Sequence, residues 1–256
     1  MIKFENTETM GWEGAIRGMR NPMNSWEKSD SGYGCTLSDQ HMCGVCEGGH
    51  YDSCPNRFRT FILGTNDLDL ARRLAKGGPV HAKYRRQIFV SVDITAPLYW
   101  WKEFDTYKVG TTANSCSTMH KIHAKEFTRE DFSCEKLHNV RNHNLWANWG
   151  NNPDGSYRFG NLDLLDLTIA VLNDCRERYL ISKDKNEWEQ MIQLLPSSYN
   201  QKRTVTMTYE NLYNACHSRK DHKLDEWRVG FCEWAKSLPY SELFTMEWEE
   251  GTHEES

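Results

Sequence analysis

The sequence predicts an α+β fold, with a small sheet, helices around it and a helical C-terminal half. Three observations carry this. Ile88, Val90, Val92 and Ile94 alternate with Ser91 and Asp93, which is the period of a half-buried strand. Leu165, Ile169 and Leu172 recur at helical spacing within an apolar stretch from Leu162 to Ile181. The 256 residues include ten Trp, eleven Tyr and ten Phe, enough bulk for a sizeable core, and that excludes a disordered chain.

Taken in order, Ile2 and Phe4 predict a short strand, and Trp12, Ile16 and Met19 a helix after it. Residues 21–57 are rich in Gly, Ser, Asp, Asn and Cys, show no period and read as a long inserted loop. Arg59 to Leu63 fits a short strand. Thr65-Asn66-Asp67 offers caps for a helix carrying Leu68, Leu70, Ala71 and Leu74, which Gly77-Gly78 stops. Pro97 suits the first turn of a helix bearing Leu98, Trp101 and Phe104. Asn148 to Asn161 reads as a loop. A helix from Asn186 to Leu195 ends at Pro196. Val205 and Met207 precede a helix with Leu212, Tyr213 and Cys216, and a last helix carries Trp227, Phe231, Trp234 and Leu238. The acidic end, 247–256, reads as a solvated tail, and the whole of 1–256 as a single domain.

Composition narrows the function classes. With 31 basic against 36 acidic side chains, the net charge is −5, which disfavours sequence-independent binding of duplex nucleic acid. Apolar runs are too short to span a membrane. Met1-Ile2-Lys3-Phe4-Glu5 lacks the basic-then-apolar pattern of an export signal. Nine cysteines without such a signal predict a cytoplasmic protein with mostly free thiols.

Residues 109–120 are small and polar, and Asn114-Ser115-Cys116-Ser117-Thr118 after Gly110-Thr111-Thr112 can cradle an anion or serve as an ordinary polar loop. Ser117 has no His-Asp arrangement near it in sequence, so a serine-hydrolase site is not expected. Arg219 ends a predicted helix that also carries Asn214 and His217; it either favours the helix dipole or holds an oxygen that gains charge. The basic run His81 to Gln87 is a solvated face or a phosphate contact.

Leu195-Pro196-Ser197-Ser198-Tyr199, then Thr204 through Tyr213, Asn214 and Arg219, resembles the C-terminal half of the flavin-dependent thymidylate synthases, the ThyX family. Ala96-Pro97 with its aromatic helix, and Asn114-Ser115-Cys116-Ser117, are similar to upstream motifs of that family, so the resemblance spans most of residues 60–240. It implies a ThyX-like fold and reductive methylation of dUMP, with FAD as cofactor and NADPH and methylenetetrahydrofolate as co-substrates. It also implies a homo-oligomer, a tetramer in most of the family. By the same resemblance Arg219 and Ser117 are catalytic. Asn114, Ser115, Lys108, Tyr107, Glu103 and His120 contact substrate, and Asn214, Gln87 and Arg86 contact the cofactor.

Several positions depart from the family pattern. The family's Arg-His-Arg, seven residues and Ser is here Thr106-Tyr107-Lys108 with eight residues before Ser117. Met119 and Ile192 stand where the family has arginine, and Gln87 where it has histidine. Lys108, His120, Lys121, Arg85 and Arg86 are candidates to replace the lost charge, and Tyr107 to stack on a ring. A related activity on another pyrimidine nucleotide, or nucleotide binding without turnover, are the alternatives. Cys116 as a nucleophile is a further one, which the resemblance does not support.

Cys35, Cys43, Cys46 and Cys54 form C-x7-C-x2-C-x7-C with His41 and His50 interleaved. The central C-x2-C can present two thiolates to zinc, or it is a redox-sensitive pair or a loop with free thiols. Cys175, Cys216 and Cys232 read as core.

Overall fold

The computed structural model describes residues 2–34, 60–138, 146–147, 157–158 and 160–245. Its main sheet has four strands in the order β1, β4, β8, β5. These are β1 (Lys3–Met10), β4 (Phe89–Pro97), β8 (Asn200–Thr208) and β5 (Thr112–Ser115). The alternation read in the sequence decides β4: Val90, Val92 and Ile94 are fully buried while Phe89 is exposed. Each such burial contributes roughly 1.5–3 kcal/mol. The late strand β8 qualifies the helical second half. It is a nine-residue strand within that half, and its neighbours in the sheet are the much earlier strands β4 and β5.

The described residues group into two compact units. One comprises Met1–Glu5, Asp93–Thr106 and Ala113–Thr204; the other comprises Asn6–Val92, Tyr107–Thr112 and Val205–Ser256.

In the first unit, α3 (Leu98–Phe104) buries Trp100, Trp101 and Phe104 as expected, but Pro97 is the extended residue that precedes the helix and ends β4 rather than part of its first turn. The short α4 (Thr118–Lys121) follows β5. The unit's helical part is α5 (Asn161–Ser182) and α6 (Lys185–Leu194). Leu165, Leu172 and Cys175 of α5 and Met191 of α6 form one core with Ile122, Phe127 and Phe132. Leu164, Leu167 and Val171 stay exposed on α5, so this helix is apolar beyond its core face. The two-residue strands β6 (Trp146–Ala147) and β7 (Tyr157–Arg158) pair antiparallel, the latter within the stretch expected as loop.

In the second unit, α1 (Trp12–Arg20) buries Trp12, Ile16 and Met19, as the spacing predicts. Part of the expected long loop is ordered structure. Asn21–Met23 and Trp26–Lys28 are 3₁₀ turns, and β2 (Gly32–Gly34) pairs antiparallel with β3 (Thr60–Ile62). The helix α2 (Thr65–Lys76) is not capped by its own Thr65-Asn66-Asp67 side chains. Asp30 instead accepts the amide protons of Asn66 (2.9 Å) and Asp67 (3.1 Å). Asp67 is thereby freed for the interior, where it is fully buried. Its carboxylate accepts from Arg20 Nε (2.5 Å), from the hydroxyls of Ser29 (2.8 Å) and Ser31 (2.6 Å), and from the amides of Asp30 and Ser31 (3.0 Å each).

The same unit ends in α7 (Tyr209–Arg219), a π-helical segment (Glu226–Phe231) and α8 (Cys232–Lys236). The expected last helix therefore has a π turn at its start, and both Trp227 and Phe231 on it are fully buried. Cys216 and Cys232 are core residues that hydrogen-bond to each other, and burial pushes the Cys216 thiol up.

Cys35, Cys43, Cys46 and Cys54 lie outside the described residues, as do His41, His50 and the acidic end 247–256. Among the described residues, no three His, Cys, Asp or Glu side chains gather as a metal site. No helix among them is long and apolar enough to cross a membrane.

Candidate active site

In the second unit, α7 begins with Thr208, whose hydroxyl caps the amide of Asn211 (3.2 Å), while Asn211 Oδ1 accepts the amide of Thr208 (2.9 Å). This reciprocal cap satisfies donors that a helix start leaves open. Arg219 closes the same helix, half-buried. Its Nε donates to the Tyr107 hydroxyl at 3.0 Å. Its guanidinium carbon lies 5.0 Å from the Trp227 ring centre and 5.8 Å from that of Tyr107. Tyr107 and Arg219, both singled out from sequence, thus meet across 112 residues. Tyr107 does so through its hydroxyl, a role the resemblance did not imply.

The segment after Tyr107 is anchored to the other end of α7. Asn211 Nδ2 donates to the Val109 carbonyl at 2.6 Å. Gly110 has φ +77°, and a Cβ there would lie 2.9 Å from Asn211 Oδ1. Both the left-handed backbone and the close approach require glycine. Gly110→Ala is expected to lower unfolding free energy by about 1–3 kcal/mol. A shift of the urea midpoint at unchanged slope is the measurement.

The other cofactor and substrate candidates of this unit are dispersed. Asn214 and Lys108 are exposed. Arg86 is paired with Glu210 at 3.5 Å. Gln87 is held against α1, its side-chain oxygen 2.8 Å from where a Cβ of Gly18 would stand. Arg85 does not replace a phosphate-binding arginine: it is buried, donates from Nε to the Leu243 carbonyl (2.6 Å) and lies over the Tyr213 ring (4.7 Å).

In the first unit, Ser117 stands where β5 gives way to α4. Its hydroxyl oxygen accepts the His120 amide at 3.1 Å, so it caps the short helix and keeps its proton for donation. The preceding Cys116 is clamped by β8: its amide donates to the Lys202 carbonyl (2.9 Å), and its carbonyl accepts from Gln201 Nε2 (2.9 Å). Gln201 is held in turn, since its Oε1 accepts from Arg203 Nε at 3.0 Å. Arg203 stacks over Trp101 at 4.1 Å and donates to Asp105 at 2.7 Å.

Beside this clamp is a cavity of about 370 Å³, whose lining includes the hydroxyls of Ser117, Thr118 and Tyr199, the lysines Lys121, Lys125 and Lys202, and the carboxylates Glu130 and Asp131. Cys116 is exposed and lines it too. Lys125 pairs with Asp131, and Lys202 with Glu5 (3.1 Å) and Asp93 (3.2 Å), contacts that raise the Lys202 ammonium. Burial, with the Asp131 carboxylate nearby, pushes the Tyr199 phenol up, so it remains a neutral donor at ordinary pH. Asn114, Ser115 and His120 are exposed and are not among the residues lining the cavity. Glu103 is half-buried on α3, its carbonyl accepting from the Thr106 hydroxyl.

Sequence reasoning missed Gln201, Arg203, Lys202 and Asn211, and it assigned no role to Tyr199, which stood in the Leu195–Tyr199 motif, or to Trp227, which stood on a predicted helix. Only the alternation of β8 and the cap pattern at Thr208 pointed towards any of them.

No protein-family model matches the sequence, and no curated protein matches it. Solved structures do match. One is thymidylate synthase X from Helicobacter pylori with FAD and dUMP, similar over 95% of this chain and 97% of that one, with a TM-score of 0.58. The chain has the ThyX fold. Sequence identity is 14%, so the likeness is one of architecture. The ThyX fold also relates it to PolB from Streptomyces cacaoi, a UMP/dUMP methylase bound with 5-Br UMP: 14% identity, 96% and 95% coverage, TM-score 0.54. The α+β class and the ThyX-like architecture expected from the sequence are thus borne out.

Proposed function

We propose that the chain is one ThyX-like domain that works as a flavin-dependent pyrimidine nucleotide methylase. In this reading it methylates dUMP reductively, with FAD as cofactor, methylenetetrahydrofolate as carbon donor and NADPH as reductant. The observation that carries it is the cavity beside Ser117, whose rim holds hydroxyl donors and three lysines together with Glu130 and Asp131; Lys125 and Lys202 are ion-paired there. That donor set suits a nucleotide phosphate, with charge-assisted contacts in place of the absent arginines. In the second unit, taken by itself, the role assigned to Arg219 is that of a guanidinium that stabilises a pyrimidine carbonyl oxygen as it gains negative charge in reaction.

The cofactor-binding residues fit FAD in part. Asn214 offers an exposed amide, and the Arg86 side chain is 57% exposed despite its pairing with Glu210. Gln87 is engaged with α1 and fits less well. When bound, the flavin supplies the hydride that completes the methyl group. The protein's own part is binding and orientation. Ser117 donates a hydrogen bond to a ligand oxygen, Lys121 offers positive charge to the phosphate, and Tyr199 donates a hydrogen bond as a neutral phenol.

A homo-oligomer, tetrameric as in most of the family, belongs to the same reading. It is supported by the exposed apolar residues Leu164, Leu167 and Val171 on α5. UMP as substrate is the second reading, supported by the likeness to PolB.

The test is a visible absorption titration of the purified chain with FAD. The expected result is a bound-flavin spectrum that NADPH bleaches faster when dUMP is added. Faster bleaching with UMP than with dUMP would favour the second reading. An absence of flavin binding, with FAD and either nucleotide present, would overturn both.

A further inference from the structure

We propose that Tyr107 and Trp227 are positioning residues for Arg219, fixing where its guanidinium can act. The contact stands on geometry alone; only its catalytic consequence rests on the reading that Arg219 meets the pyrimidine.

A half-exposed arginine at a helix end has several rotatable bonds, and ordering it costs up to about 2 kcal/mol of side-chain entropy. Here that cost is offset by two kinds of contact. Tyr107 Oη accepts from Nε at 3.0 Å, a charge-assisted hydrogen bond that sets the direction of the guanidinium plane. Trp227 sets its height: the ring centre is 5.0 Å away, within the range of a cation–π contact. Neither partner is loose. Trp227 is fully buried, packs edge-on against Phe231 (5.3 Å) and sits in the π-helical segment. Such π turns are rare and recur at functional sites. His222 flanks the Trp227 ring at 6.4 Å. Tyr107 is steadied by the Trp227 ring at 6.0 Å, and its segment by the Asn211 bond to Val109. The 107–110 segment therefore touches α7 at both Asn211 and Arg219.

These contacts use Nε and a face of the guanidinium. Tyr107 orients Arg219 through its hydroxyl, and its ring packs against Trp227.

The test compares the unsubstituted chain with Tyr107→Phe, which removes only the hydroxyl. The Arg219 Nε–H is observed by ¹⁵N NMR and assigned by its loss in Arg219→Lys. In Tyr107→Phe its exchange with water is expected to quicken by on the order of tenfold. In turnover of dUMP, kcat is expected to fall about tenfold while KM changes less than about twofold, the pattern of an interaction made in the transition state. The same substitution in an Arg219→Ala background is expected to cause no further loss. Unchanged Nε–H exchange in Tyr107→Phe would overturn the proposal, and so would an equal loss of kcat in the Arg219→Ala background. Quickened exchange in a chain that neither binds nor turns over a pyrimidine nucleotide would uphold the positioning contact and overturn the functional reading. Trp227→Phe, which keeps a ring in the core, is the second variant; its expected effect is a smaller fall in kcat of the same kind.

Discussion

On the proposed reading of the chain as a dUMP methylase, Arg219→Ala is expected to lower kcat by about 10²–10³-fold, the usual cost of removing one preorganised donor from a developing oxyanion. The fall should be in kcat more than in KM, because the contact strengthens as charge moves onto the oxygen. Stability should change little. Arg219 is half-exposed, and its contacts with Trp227 and Tyr107 are worth about 1 kcal/mol at such a site. Arg219→Lys keeps the charge but loses both the fork and the Nε contact to Tyr107, so it should recover only a small part of the rate. Tritium release from labelled dUMP, with a thermal melt on the same preparation, separates the two effects. Turnover of Arg219→Ala within tenfold of the unsubstituted chain would remove Arg219 from the mechanism.

The largest expected effect on stability is that of Asp67→Ala, a loss of about 3–5 kcal/mol. The substitution leaves the Arg20 guanidinium, 4% exposed, without its counter-charge. It also removes the acceptor for two serine hydroxyls and two backbone amides. Urea unfolding measures it directly, and a loss under 1 kcal/mol would refute the network's importance. The same carboxylate predicts a pH dependence. Burial by itself would raise it, but hydrogen bonds from Ser31, Ser29, Arg20 and the Asp30 amide hold it below the usual value. Its contribution is fully present above the unfolded value of about 4 and is lost as pH falls through the lower folded value. Asp67→Asn should therefore flatten the acid limb of the stability curve below about pH 4 and leave the limb above pH 7 unchanged in slope.

The sheet strand 88–95, the helices at 12–20, 65–76 and 161–182, and the helix carrying Arg219 were legible because each has a period of its own. Periodicity is local, and burying one face is enough to decide it. The cap of α2 was not legible. Thr65-Asn66-Asp67 satisfies a local pattern, yet Asp30, 36 residues away, supplies the acceptor and releases Asp67 to the core. The π turn around Trp227 was equally hidden, since Trp227 and Phe231 fit ordinary helical spacing.

Of the candidate site, the sequence singled out the residue types: Ser117 after a small polar run, Arg219 at a helix end, Tyr107 beside Lys108. It also sufficed, through the order and spacing of its motifs, to point to a ThyX-like fold that the structure bears out. Only the tertiary structure decided what those residues touch. It drew Tyr107 to Arg219 and Trp227, turned Arg85 inward to a backbone carbonyl, and clamped the Cys116-Ser117 turn through Gln201 and Arg203. The physical reason is the range of the forces. Helix and strand periods follow from neighbours a few residues apart. A hydrogen bond or cation–π contact between residues a hundred positions apart depends on where folding brings them, and no local pattern encodes that distance.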